Sequence, residues 1–272
     1  MILLLASVKD VAGMNIAKQV IQLHGFEKTS RTFNDKPVYA RRIGNQQALL
    51  AFTNKEITET QDITEFFQPE LIVFLSRHAS RAGTPTLSVH TPGNLTNQAV
   101  LGGLPNKISV SPASKMKKTL KTMAKLVQEQ NLDYAVSYEC THHGPSLDTP
   151  AMFAELGSTL AQWKDKKAAK VVADAVIEAV KDSTVYPTVI GIGGPHYNYK
   201  FTKIALTTDT AFAHIIPKYA ISEINDAMLK QCVERTVEKV EKALLDWKGI
   251  KGEYKPRMVE ALERLNIKME KV

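Results

Sequence analysis

The run MILLLASVKDVAGMNIAKQVIQLHG, residues 1–25, sets the fold class. Ile2–Val8 is apolar without alternation, the pattern of a strand buried on both faces. Ala12–His24 then places Ile16, Val20 and Leu23 on one face of a helix, with Gly25 as its stop. A buried strand feeding an amphipathic helix is the opening unit of an α/β sheet. The apolar run is too short to cross a membrane and lacks a basic start or a small-residue cleavage site. It reads as a first core strand, and the chain is expected in the cytoplasm.

Working outward, Val38–Ile43 and Ala48–Thr53 read as strands with an antiparallel look, and Leu71–Ser76 as a fully buried strand. Ser111-Pro112 opens a helix reaching about Asn131, Asp133–Tyr138 returns as a strand, and Lys166–Lys181 is a strong helix. Pro187–Ile192 is another buried strand, and Lys203–Thr207 and Ala211–Ile216 look like strands. Ser222 then reads as the cap of a long helix with Leu229, Val233, Val237, Val240 and Leu244 on its seam. The expectation is one α/β domain over residues 1–272, a three-layer α/β/α arrangement around a mixed, largely parallel sheet. With 44% hydrophobic and 23% charged residues the composition is that of a folded protein, which excludes disordered and fibrous classes. Two cysteines, Cys140 and Cys232, exclude a disulfide framework and a Cys-rich zinc module.

The net charge of +7 is unevenly spread. Between Leu71 and Gln128 there is no acidic residue, while Arg77, Arg81, Lys107, Lys115, Lys117, Lys118, Lys121 and Lys125 all fall there. A localised positive field marks a polyanion partner, nucleic acid first among them; a lysine-rich solvated face is the other reading. At about 100° per residue, Lys115, Lys117, Lys118, Lys121 and Lys125 share one half of the helix and Met116, Leu120, Met123 and Val127 the other. Five ammonium groups without interleaved aromatics suit phosphate contact rather than base stacking. Reversing Lys117 and Lys121 to Glu is therefore expected to raise KM for a nucleic-acid substrate.

The histidines gather in short polar segments. His78 lies in Ser76-Arg77-His78-Ala79-Ser80-Arg81, after a buried strand, and His90 precedes Thr91-Pro92-Gly93-Asn94. Glu139-Cys140-Thr141-His142-His143-Gly144-Pro145 follows the strand ending at Tyr138. Gly193-Gly194-Pro195-His196-Tyr197 follows Ile192, and His214 stands just ahead of Ile216-Pro217-Lys218-Tyr219. In open α/β sheets ligands bind beyond the carboxyl ends of the strands, so these side chains are expected to converge in one cleft there. Each histidine alone is more often a satisfied polar residue than a ligand, but two adjacent imidazoles beside Glu139 are costly to place without a task. Cys140 reads as a small buried thiol. Gly191-Ile192-Gly193-Gly194 lacks the residues of a nucleotide loop and is either a close-approach loop for substrate or a structural turn.

At these motifs the sequence resembles the archaeal and plant type of D-aminoacyl-tRNA deacylase. The likeness rests on SRHAS at 76–80, HTPGN at 90–94, THHGP at 141–145, AELGS at 154–158, GIGGPHY at 191–197 and HIIPKY at 214–219. The resemblance implies hydrolysis of D-aminoacyl-tRNA with broad tolerance for the amino acid, use of zinc, and a fold related to peptidyl-tRNA hydrolases and phosphorylases. Zinc held by His and Glu would acidify water and polarise the ester carbonyl. The expected ligand pool is His142, His143, His196 and Glu155, and the catalytic set is His78, Glu139, His142, His143 and His196. Arg77 and Arg81, with Lys115, Lys117, Lys118, Lys121 and Lys125, are expected to meet tRNA phosphates; no protein partner is called for. A zinc-dependent peptidase or amidohydrolase would share the His/Glu cluster without needing the acid-free basic stretch. A non-catalytic RNA-binding protein would need the stretch without the histidines.

Overall fold

A computed structural model describes residues 1–272. The chain begins with β1 (Ile2–Ser7) and α1 (Val11–Leu23), whose first turn is capped by Asp10 accepting from the Gly13 amide. A meander follows: β2 (Glu27–Phe33), β3 (Lys36–Ile43) and β4 (Gln46–Thr53), then the short α2 (Ile63–Phe66). Next come β5 (Leu71–Ala79), β6 (Thr86–His90), α3 (Ala113–Glu129), β7 (Ala135–Tyr138) and β8 (Ala151–Ser158). The chain continues through α4 (Leu160–Trp163), α5 (Lys166–Lys181), β9 (Thr188–Ile192), α6 (Tyr199–Thr207) and β10 (Ala211–Ile216). It ends with α7 (Asp226–Glu234), β11 (Val240–Leu245), α8 (Lys255–Arg264) and β12 (Met269–Lys271).

The fold is mixed α/β with mostly parallel pairing, but its strands form two sheets. Eight strands lie in the order β2-β3-β4-β1-β5-β8-β6-β7 and four in the order β10-β9-β11-β12. Only β2 with β3, β3 with β4 and β6 with β8 pair antiparallel. One core of 40 buried residues draws from β1, β5, β6, β8, α1, α3 and α5 and reaches β9 and β10 through Val189 and Phe212. The sheets meet where β7 ends: the Cys140 amide donates to the His196 carbonyl and the Thr141 amide to the Ile215 carbonyl. That seam lays Glu139–His143 against the loop after β9. No helix is long and apolar enough to cross a membrane.

Two expected elements differ. The long helix from Ser222 is α7, capped by Asn225 and ending at Glu234, followed by β11. The Ser111 amide donates to the Arg235 carbonyl and the Val237 amide to the Ser111 carbonyl, which draws the chain out of the helix. The stretch Lys203–Thr207 is the end of α6, started by Asn198, whose side chain accepts from the Phe201 amide.

The basic face of α3 is corrected for three of its five lysines, Lys115, Lys117 and Lys118, whose ammonium groups are taken up by the protein itself. Lys117 is fully buried, and its Nζ donates to the carbonyls of Ala205, Thr208 and Thr210 at 2.6, 2.7 and 3.1 Å. Burial pushes its pKa down to about 8. Lys115 donates to the Ala179 and Asp182 carbonyls, and Lys118 pairs with Asp182 at 2.8 Å. Lys117 ties α3 to the end of α6 and cannot reach a phosphate. Replacing it with Met should strand three carbonyls and cost about 3 kcal/mol, roughly 6–10 °C in Tm, with KM for tRNA unchanged. Thermal unfolding beside steady-state kinetics checks this; an unchanged Tm with a raised KM would restore the docking role.

Candidate active site

Alternation along three neighbouring strands builds the site. The registers Ser76↔Glu155↔Ser88 and Phe74↔Phe153↔His90 set β5, β8 and β6 level. Val73, Leu75, Ala154, Leu156, Leu87 and Val89 turn to one face and enter the large core. The opposite face carries Ser76 and His78 from β5, Glu155 from β8, and Ser88 and His90 from β6. Because β6 opposes β8 while β5 runs with it, His78 and His90 approach Glu155 from opposite ends, each at 3.8 Å. The cleft therefore lies over the face of these strands. The expected position beyond their carboxyl ends assumed that all of them ran the same way.

The loop after β7 brings the rest. His142 stands among His90, His143 and His196, with ring centroids 4.2, 4.2 and 4.4 Å away. His143 holds φ of 41°, a left-handed conformation uncommon outside glycine, and its carbonyl accepts from the Gly93 amide. Gly157 of the AELGS segment has no room for a side chain: a Cβ there would sit 2.3 Å from the His78 carbonyl oxygen. The structure thus brings His78, Glu139, His142, His143, Glu155 and His196 together. It adds His90, absent from the expected set.

Three groups of side chains could hold a metal ion: His90, His142 and His143; Cys140, His142 and His196; and His78, Glu139 and Glu155. The first has the donor chemistry a metal requires. Each Nδ1 faces a backbone carbonyl, Thr91 at 3.3 Å for His90, Cys140 at 2.8 Å for His142 and Gly144 at 2.9 Å for His143. A carbonyl only accepts, so these nitrogens carry the protons and Nε2 keeps its lone pair, the tautomer that metal-binding histidines adopt. The His90 Nε2 is buried without any hydrogen-bond partner. Burial and neighbouring imidazoles hold His142 well below its ordinary pKa, and the same causes push His143 down to about 4. His196 differs: its Nε2 meets Glu139 at 2.8 Å and its Nδ1 meets the Tyr219 hydroxyl at 3.1 Å, so neither nitrogen is free.

The carboxylates organise the other side. Burial opposes the charge on Glu139, yet contacts from His196 and His78 hold its pKa well below the usual range. Burial likewise disfavours a charged His78, but Glu139 at 3.1 Å and Glu155 outweigh it and raise its pKa to about 9. For His196, the Cys140 sulfur and Glu139 overcome burial and raise it to about 10. His78 Nε2 lies 2.9 Å from the Tyr197 hydroxyl, a second group the sequence reading missed. Glu155 is buried, which opposes its charge, and His78 holds its charged form against that burial.

Two cavities meet at His143. One, of about 230 Å³, has mixed walls without a carboxylate, with Leu95, Pro217 and Tyr219 beside Asn94, Thr96 and Gln98. The other, of about 280 Å³, is lined by Asp10, Glu56, Glu59, Arg77 and Glu155. Arg77 pairs with Glu56 at 3.2 Å, and Arg81 is exposed in the turn after β5. The glycine loop stays away from both cavities: a Cβ on Gly194 would strike Asn198 Nδ2 at 2.6 Å, so it is a structural turn. His214 is buried between Thr141 Oγ1 and the Arg235 carbonyl, and burial pushes its pKa down to about 4.

Residues 65–270 match the model of a family described as D-aminoacyl-tRNA deacylase. The chain belongs to that family. It is 37% identical over 262 residues to a D-aminoacyl-tRNA deacylase of Thermococcus onnurineus, covering 93% of each chain. It is 38% identical over 255 residues to the one of Pyrococcus horikoshii, covering 90% of each. Among solved structures, a conserved protein described as of unknown function superposes with a TM-score of 0.90 at 28% identity, covering 100% of this deacylase-family chain and 95% of its own.

Proposed function

We propose that this chain hydrolyses the ester bond of D-aminoacyl-tRNA in the cytoplasm, releasing free tRNA and a D-amino acid, with zinc as its metal. The observation that carries the reading is the trio His90, His142 and His143, each with Nδ1 on a backbone carbonyl and Nε2 free, set beside charged carboxylates. Family membership supplies the substrate. Zinc on the three Nε2 atoms would polarise the ester carbonyl and acidify water at neutral pH.

The chain's own groups supply the rest. The Glu155 carboxylate lines the cavity beside His143 and accepts the proton of the attacking water. Charged His78 donates to the Tyr197 oxygen, which turns the Tyr197 proton outward toward the leaving ribose oxygen. Glu139, between His78 and His196, fixes both rings as a positioning residue. The acidic cavity suits the substrate α-ammonium and the cavity without carboxylates its side chain, and this pairing selects one enantiomer. Purified protein should cleave D-tyrosyl-tRNA and leave D-tyrosine amide intact. Amide cleavage without ester cleavage would replace the deacylase with an amidohydrolase.

A further inference from the structure

Three of the five lysines of α3 are held by the protein itself, which weakens that helix as the polynucleotide surface. The largest groove, about 920 Å³, opens between α1, β3, β4 and α4. Tyr39 and Trp163 stand in it, and Lys18, Lys36, Lys164 and Lys166 surround it. No acidic residue lines the groove, and all four lysines are exposed. None of the four joins an ion pair, so their ammonium groups are open to an anion. Aromatic rings on an apolar floor within a ring of unpaired cations are the two ingredients of single-strand nucleic-acid binding.

The groove also leads to the chemistry. Trp163 donates from Nε1 to the His78 carbonyl at 2.8 Å. The Arg77 guanidinium lies 5.9 Å from the Trp163 ring and lines the acidic cavity that ends at His143 and Glu155. An aminoacyl ester sits on the last ribose of a single-stranded tRNA end, so the preceding nucleotides must leave the cleft along the protein.

We propose that this groove holds the single-stranded 3′ end of the tRNA, with its phosphates on the four lysines and a base stacked on Trp163 or Tyr39. The inference rests on the deacylase reading. The substrate thus enters from the α1/α4 side. Trp163 links the groove to His78, so the test leaves it in place and uses the double variant Lys18→Glu/Lys164→Glu. Two substrates separate the roles: D-tyrosyl-tRNA, and D-tyrosyl-adenosine, which lacks the upstream nucleotides.

On tRNA the variant should raise KM about tenfold and lower the slope of log KM against log salt by about 1.4, the loss of two single-strand phosphate contacts. kcat on tRNA, and both parameters on D-tyrosyl-adenosine, should stay within about twofold. An unchanged KM and salt slope on tRNA would overturn the proposal, as would equal losses on both substrates. A changed oligomeric state with KM unmoved would mean that a second copy occupies the groove, and would also overturn it. If the parent cleaves neither ester, the deacylase reading fails by itself. Binding of uncharged tRNA then decides the groove: weaker binding by the variant supports it, and equal binding overturns it.

Discussion

Replacing His90 with Ala is expected to remove the metal and to lower kcat by roughly 10³-fold, about 4 kcal/mol of barrier. Its ring is buried, stacks on Phe153 with centroids 4.9 Å apart, and leaves Nε2 without a partner. A structural histidine in that position would use both nitrogens, as His214 does with Thr141 and Arg235. His214→Ala should therefore lower Tm while metal content per chain holds, whereas His90→Ala should lose metal with a smaller change in Tm. Elemental analysis with thermal unfolding on both variants reads the difference. Full metal content and full rate in His90→Ala would remove His90 from the trio.

How much of this was legible depends on what each segment buries. Ile2–Ser7, Leu71–Ser76 and Thr188–Ile192 are buried along nearly their whole length, so unbroken apolar runs announced them. Lys166–Lys181 packs one continuous apolar stripe and read as a helix without help. The strands β6 and β8 went unread because they carry the site. Ser88, His90 and Glu155 dilute their hydrophobicity, although Ser-x-His in both β5 and β6 is the period-2 signal that points to one face. That spacing could have added His90 to His78.

The false helix after Glu234 has a different cause. Val237, Val240 and Leu244 match a helical period by coincidence, yet Val237 is 58% exposed and Ala243 and Leu245 point inward from a strand. Hydrogen bonds to Ser111, more than a hundred residues away, decide the outcome, and no local window contains them. Lys115, Lys117 and Lys118 of α3 fail in the same manner. Charge is visible in sequence, but the carbonyls of α6 and the Asp182 carboxylate that absorb it arrive from distant segments.

The second large effect is stereochemical. With the ester carbonyl fixed over the three imidazoles, inverting Cα exchanges the ammonium and the side chain between the two cavities beside His143. The L substrate then places its ammonium in the cavity beside Leu95, Pro217 and Tyr219, away from the carboxylates of Glu56, Glu59 and Glu155. Losing a charge-assisted pairing in the cleft costs up to about 3 kcal/mol, so a preference of roughly 100-fold follows.

The most direct measurement is release of tyrosine from matched D- and L-tyrosyl-tRNA by the metal-loaded and the chelator-stripped protein. The account predicts D-tyrosine release roughly 100-fold faster than L, falling toward background on stripping and returning with zinc. Equal rates on the two enantiomers, or no ester cleavage at all, would contradict it.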